Sequence, residues 1–218
     1  MRTVSDDDSP GVGPTADHER RALAGGARRV AGVDEAGRGP LAGPVVVAAV
    51  VLTDLDKVPE GIDDSKRVKA TDREHLADHL MATCDVAVAV ASRTRIDRMN
   101  ILRASLWAMS RAVACLSAPP DHVLVDGRDV PEGLPCTAEA LIGGDARSLS
   151  IAAASLIAKV TRDRLMERAG LCYPVYGFES HKGYSTRRHF DALNTHGPCP
   201  LHRQSFAPVR EQQLALEL

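Results

Sequence analysis

The chain is poor in rings. Three phenylalanines, three tyrosines and one tryptophan make up 3% of its 218 residues. A platform of aromatic side chains on which successive bases stack is therefore excluded as a general binding strategy. The five cysteines (Cys84, Cys115, Cys136, Cys172 and Cys199) are odd in number and widely spaced, with no C-x-x-C among them. That spacing argues against a disulfide framework and a cysteine-held zinc, and fits a reducing compartment. No apolar run approaches the ~18 residues of a membrane span. Residues 1–27 contain no apolar stretch of the signal-peptide kind. They hold Asp, Gly and Pro instead, and are expected to form a disordered tail. A cytoplasmic monomer with no membrane contact is the expectation. The formal charge of −2 does not mark a polyanion binder.

What is present is an ordinary globular composition, 44% hydrophobic and 26% charged, in a chain long enough for one domain with a substantial core. The organisation expected is a tail over 1–27, one domain over 28–210 and a short tail over 211–218. Charge is unevenly spread. Between Ser155 and Arg210 nine lysines and arginines face four acids, and four histidines add to them. That asymmetry suggests a face toward a polyanion.

Periodicity predicts alternating strands and helices. Val45–Leu52 reads as a buried strand, and Asp85–Ser92 and His122–Gly127 as further strands, with Ala138–Ile142 a weaker one. Helices are predicted from Thr71 to about Thr83, from Ile101 to Leu116, from Ser148 to about Arg168 and from Thr186 to Asn194. Thr71 with Glu74 resembles a capping box. Alanines at 152, 153, 154 and 158 would let the third of these helices approach a sheet closely. The pattern is that of one mixed α/β domain.

The chemistry concentrates in Val33-Asp34-Glu35-Ala36-Gly37-Arg38-Gly39-Pro40, which lies just before the apolar run at 45–52. Two carboxylates beside a glycine-bared backbone suit a metal together with a phosphate or sugar. Asp126 and Asp145 share the same kind of position, where an apolar strand ends near a glycine, and ligands gather at strand ends in α/β sheets. Carboxylates converging there repel one another and persist with cations between them. Oxygen donors without Cys or His favour Mg2+ or Mn2+, and two such ions ~4 Å apart are a standard apparatus for phosphodiester hydrolysis. Neighbouring strand residues face opposite ways, so Asp34 and Glu35 are expected to share a site through a turn made possible by Gly37 and Gly39.

Residues Gly32 to Val46 resemble the opening signature of ribonuclease HII. Asp64-Ser65-Lys66, Val125-Asp126-Gly127, Gly144-Asp145, Ser150 to Asp163, Tyr176-Gly177-Phe178, His181-Lys182-Gly183-Tyr184 and His202 to Val209 match it in family order. The resemblance runs from about Arg29 to Arg210. It implies an RNase H-like fold, a mixed sheet flanked by helices with a helical C-terminal extension. It implies cleavage of the RNA strand of RNA–DNA hybrids and incision 5′ to single ribonucleotides in duplex DNA, leaving 3′-hydroxyl and 5′-phosphate ends. Carried over by residue, Asp34, Glu35, Asp126 and Asp145 become the metal-binding catalytic acids. Gly37, Arg38 and Gly39 become the segment that reads the ribose 2′-hydroxyl, and Tyr184 the ring that stacks on the next sugar. Ser65, Lys66 and Arg67 are candidate phosphate contacts. Lys182, Arg187 and Arg188 are weaker candidates for the duplex backbone. His181 and His202 are given no catalytic role.

Overall fold

The computed structural model describes residues 13–63, 65 and 68–216. Five strands form one mixed sheet in the order β3-β2-β1-β4-β5. They are β1 (Val30–Ala36), β2 (Val45–Val51), β3 (Asp85–Ala91), β4 (His122–Asp126) and β5 (Thr137–Leu141). β1, β2 and β3 pair antiparallel as a meander, whereas β1, β4 and β5 run parallel. The parallel arrangement brings the C-terminal ends of β1, β4 and β5 to one edge.

β2 is buried along its whole length, and its residues divide between the two faces by the strand's period of two. Val45, Val47 and Ala49 pack against α3 (Arg93–Met99) and α4 (Ile101–Ala114). Ala48 and Val50 pack against α2 (Ala70–Thr83) and α5 (Leu149–Cys172). The early alanines of α5 are fully buried against the sheet. Closeness is greatest at Gly32 of β1, where a Cβ would lie 2.2 Å from the Ser150 backbone. Asn100 separates α3 from α4 at φ 69° and ψ 166°, a positive-φ backbone outside the left-handed helical well, and its side chain caps α4 through the Arg103 amide at 3.0 Å. After α5 come α6 (Phe178–His181), α7 (Arg187–His196, capped by Thr186) and α8 (Ala207–Leu216), which form the helical C-terminal part. No helix among the described residues is long and apolar enough to cross a membrane.

Two expectations are corrected. Residues 13–27 are not a disordered tail: they carry α1 (Asp17–Ala24), and Ala16 and Glu19 are buried. The Glu19 carboxylate accepts from the Ser148 hydroxyl (2.5 Å), the Ser150 amide (2.8 Å) and the Ser150 hydroxyl (2.6 Å) at the start of α5. A helix N-terminus with unpaired N–H groups favours such an anion. At α2 the helix begins at Ala70 after an extended Lys69, and the Thr71 hydroxyl bonds Asp72, so the expected capping box does not form.

Candidate active site

The parallel ladder between β1 and β4 ends at Val33 and Val125. Beyond it the two strands leave a cleft of about 380 Å3, and the cleft collects the residues singled out from the sequence. Asp34 and Glu35 enter from β1, Asp126 from the last position of β4, and Asp145 from a 3-10 turn at Gly144–Ala146. Gly37, Arg38 and Gly39 form one wall, with Tyr184 and Ser65 also lining the cleft. Lys66 and Arg67 lie outside the described residues, as does Asp64.

Asp34 and Glu35 share the cleft without the turn expected of them. Both lie inside β1, opposite Ala48 and Val47 of β2. The Asp34 carboxylate curls back to accept from the Glu35 amide at 2.6 Å. Asp126 is fixed by accepting from the Gly144 amide at 2.7 Å, which seats the turn carrying Asp145 against it. Glu35 pairs with Arg38 at 3.1 Å.

The acids strain one another electrostatically. Burial raises the pKa of Asp34 well above the ordinary carboxylate range, and Glu35 and Asp126 raise it further, against hydrogen bonds from Ser155 and the Glu35 amide. Burial raises Glu35 too; Arg38 opposes this, while Asp126 and Asp145 add to it. Among the described residues no three acid, histidine or cysteine side chains already converge as a chelating group. What the cleft supplies is a set of oxygen donors, two of which, Asp34 and Glu35, have raised pKa values. That donor chemistry fits a hard divalent cation, which would relieve the repulsion.

Ser155 and Lys159 also line the cleft, and sequence reasoning assigned them no role there. Ser155 donates to the Ser65 hydroxyl at 3.0 Å, and Lys159 bonds Asp163 at 2.8 Å. The signal was their i, i+4 spacing on α5, continued by Arg162 at i+7.

Arg162 and Arg203 counted toward a basic face in the sequence, but they lie beneath the site. They are the largest fully buried side chains of the described residues. Arg203 donates to the carbonyls of Gly37 (2.6 Å), Arg38 (2.7 Å), Gly43 (2.9 Å) and Pro44 (3.2 Å). Arg162 donates to Pro44 (3.0 Å) and Ala42 (3.2 Å), and its guanidinium carbon lies 5.8 Å from the centre of the Tyr184 ring. Burial, then the Arg162 charge, push the Arg203 pKa down to about 9, so it stays cationic at neutral pH. Gly37 has φ 99°, and a Cβ there would lie 1.9 Å from Arg162 Nε, so only glycine fits above this guanidinium.

Tyr184 is 43% exposed at the rim beside Gly39. Its carbonyl accepts from His189 Nδ1 at 2.8 Å. His189 Nε2 must then accept from His202 Nε2–H (3.0 Å), because His202 Nδ1 accepts from the Cys199 amide (2.9 Å). Both rings are fully buried. Burial, then His189, hold the His202 pKa down to about 4. Of the duplex-backbone candidates, Lys182 pairs with Glu167 and Arg188 with Glu179, and Arg187, almost wholly exposed, lies 3.9 Å from Asp191.

The family model for ribonuclease HII matches residues 31–209. Ribonuclease HII of Agrobacterium fabrum is 55% identical over 216 residues, covering 96% of this chain and 99% of the relative. The crystal structure of the ribonuclease H2 from Pyrococcus horikoshii OT3 superposes with a TM-score of 0.73 at 30% identity, covering 87% of this chain and 99% of that one. The ribonuclease HII of Archaeoglobus fulgidus, solved in complex with PCNA, gives 0.67 at 29% identity, over 82% and 95% of the two chains. The fold is RNase H-like, and the chain belongs to the ribonuclease HII family, a nuclease of the hydrolase class.

Proposed function

We propose that this enzyme cleaves the RNA strand of RNA–DNA hybrids and incises 5′ to a single ribonucleotide embedded in duplex DNA, leaving 3′-hydroxyl and 5′-phosphate ends. The observation that carries the reading is the single cleft shared by four carboxylates, a glycine-bared loop and one exposed ring. Asp34 would be shared between two divalent cations, Mg2+ or Mn2+. Glu35 and Asp145 would each hold one of them, and Asp126 the first or its water. When bound, such ions activate water and neutralise charge at the phosphate. The reading needs no side-chain nucleophile.

Substrate choice rests on the cleft's other wall. A 2′-hydroxyl is the chemical handle that separates ribose from deoxyribose. Backbone bared at Gly37 and Gly39 can approach it closely. Tyr184, beside Gly39, would pack on the following sugar and leave no room for a second hydroxyl there. Ser65 and Lys159, also in the cleft, would serve the phosphates. Lys66 and Arg67 remain proposed phosphate contacts from the sequence alone.

The test is a cleavage assay with Mg2+ on a duplex holding one ribonucleotide, run beside an all-DNA duplex and the Asp126→Asn variant. Incision 5′ to the ribonucleotide is expected from wild type alone. Asp126→Asn should fall at least about 100-fold, since even outer-shell partners of metal ligands cost 10- to 100-fold when lost. Binding without incision would make the protein a recognition module. Cutting of the all-DNA duplex would remove the roles given to Gly37, Arg38, Gly39 and Tyr184.

A further inference from the structure

The loop from Gly37 to Pro44 turns the carbonyls of residues 37, 38, 42, 43 and 44 toward two guanidiniums that have no access to solvent. Among the described residues carbonyls, not carboxylates, accept the hydrogen bonds of both guanidiniums. Burying two cations is costly unless their hydrogen bonds are well made. Four carbonyls of one short loop supply them for Arg203. Its position is itself fixed. The Arg203 amide donates to Leu41 O at 2.8 Å, and Ser205 two residues on is held by Asp97 through its amide (2.9 Å) and hydroxyl (2.7 Å).

In a trans peptide the C=O and N–H lie in one plane and point opposite ways. The carbonyl of Gly37 shares its peptide with the N–H of Arg38, and the carbonyl of Arg38 shares its peptide with the N–H of Gly39. Arg203 grips both carbonyls from the buried side. Both N–H groups therefore point away from Arg203, and all three residues line the cleft. A charge on the carbonyl side also polarises each peptide and strengthens its N–H as a donor.

We propose that Arg203 is a specificity-determining positioning residue, whose guanidinium aims the Arg38 and Gly39 amides into the cleft as the donors that distinguish a ribonucleotide. This rests on the substrate reading given above. Arg162 secures the far end of the same loop at Ala42 and Pro44 and underlies Tyr184, so one buried pair spans both walls that meet the sugar. Lysine cannot replace Arg203. It offers a point charge on a flexible stem rather than a planar fork, and cannot hold carbonyls on several sides at once.

The experiment measures Kd with Ca2+ in place of Mg2+, for a duplex with one ribonucleotide and for the all-DNA duplex, in wild type and Arg203→Lys. The ratio of the two Kd values is the readout, since a merely structural loss would weaken both alike. Arg203→Lys is expected to lower the ratio roughly tenfold, about the value of one well-aimed hydrogen bond, with the all-DNA Kd unchanged. An unchanged ratio, or equal loss on both duplexes, overturns the role of Arg203 while leaving the substrate reading intact. Absence of any preference in wild type overturns the substrate reading and this role with it. The wild type gives a second reading that depends on no variant. The amide resonances of Arg38 and Gly39 should shift on adding the ribonucleotide duplex and stay in place with all-DNA; equal shifts overturn the proposal.

Discussion

Replacing Glu19 by alanine should destabilise the whole domain, although the residue lies in a stretch that reads as tail. The carboxylate is 1% exposed and receives three hydrogen bonds from Ser148 and Ser150, at 2.5, 2.8 and 2.6 Å. Hydrogen bonds to a charged group contribute about 1.5–3 kcal/mol each, but their losses do not simply add. The two serine hydroxyls are 3.2 Å apart and can pair with each other once the carboxylate is gone. The Ser150 amide, in the first turn of α5, then has no acceptor. The net cost is about 3 kcal/mol, which in a domain of this size lowers Tm by roughly 6–12 °C. Urea unfolding followed by circular dichroism is the assay. The midpoint should fall without a change in slope, because the surface exposed on unfolding is unaltered. Glu19→Gln keeps one oxygen acceptor and should lose about 1 kcal/mol. Glu19 is outside the cleft, so folded Glu19→Ala should incise at the wild-type rate at low temperature. A change within about 0.5 kcal/mol, the range of an ordinary surface substitution, would refute the anchoring of α5 by α1.

Gly37→Ala should cost about 3 kcal/mol by thermal unfolding and abolish incision, because the new Cβ meets Arg162 Nε at 1.9 Å and the φ of 99° disfavours any side chain. A folded, active Gly37→Ala would refute the packing of this loop on Arg162. Acid should destabilise the protein through His202. Its folded pKa of about 4 lies below the unfolded 6.5, so between those values the unfolded chain takes up a proton that the native one refuses. The associated stability is complete above pH 6.5 and is lost as pH falls to 4, about 3 kcal/mol in all. Urea midpoints at pH 7 and 4.5 read it, and His202→Gln should flatten the difference. Asp34→Asn should stabilise the protein in chelator at pH 8. With the Asp34 pKa raised, the native state holds that proton better than the unfolded chain, so ionisation as pH rises costs stability. Added Mg2+ should reverse the order of the two melting temperatures.

Four of the five strands and most helices were legible because they obey local rules. The apolar runs of β2 and β3, the three-and-four spacing in α4 and the capping Ser148 and Thr186 each specify their element within a few residues. The four acids were legible as a position type, strand end beside glycine, and parallel pairing of β1, β4 and β5 gathers them. How Asp34 and Glu35 share the cleft was not legible, since it depends on where the β1–β4 ladder stops. Glu19 was not legible because its partners are about 130 positions away, at Ser148 and Ser150.

Arg162 and Arg203 are the most informative miss. Along the chain they look like members of a basic face, and only the convergence of loop carbonyls on them explains their burial. The physical reason follows from the loop they hold. A backbone bared by Gly37 and Gly39 can approach a sugar closely, but glycine has little local preference for one conformation. Aim must then come from outside the loop, and here it comes from a side chain 166 positions later. The same dependence gives the helical C-terminal part a reason to be part of one domain with the sheet. Without the segment from His202 to Phe206, the acids would keep their strand ends while the loop beside them lost its direction.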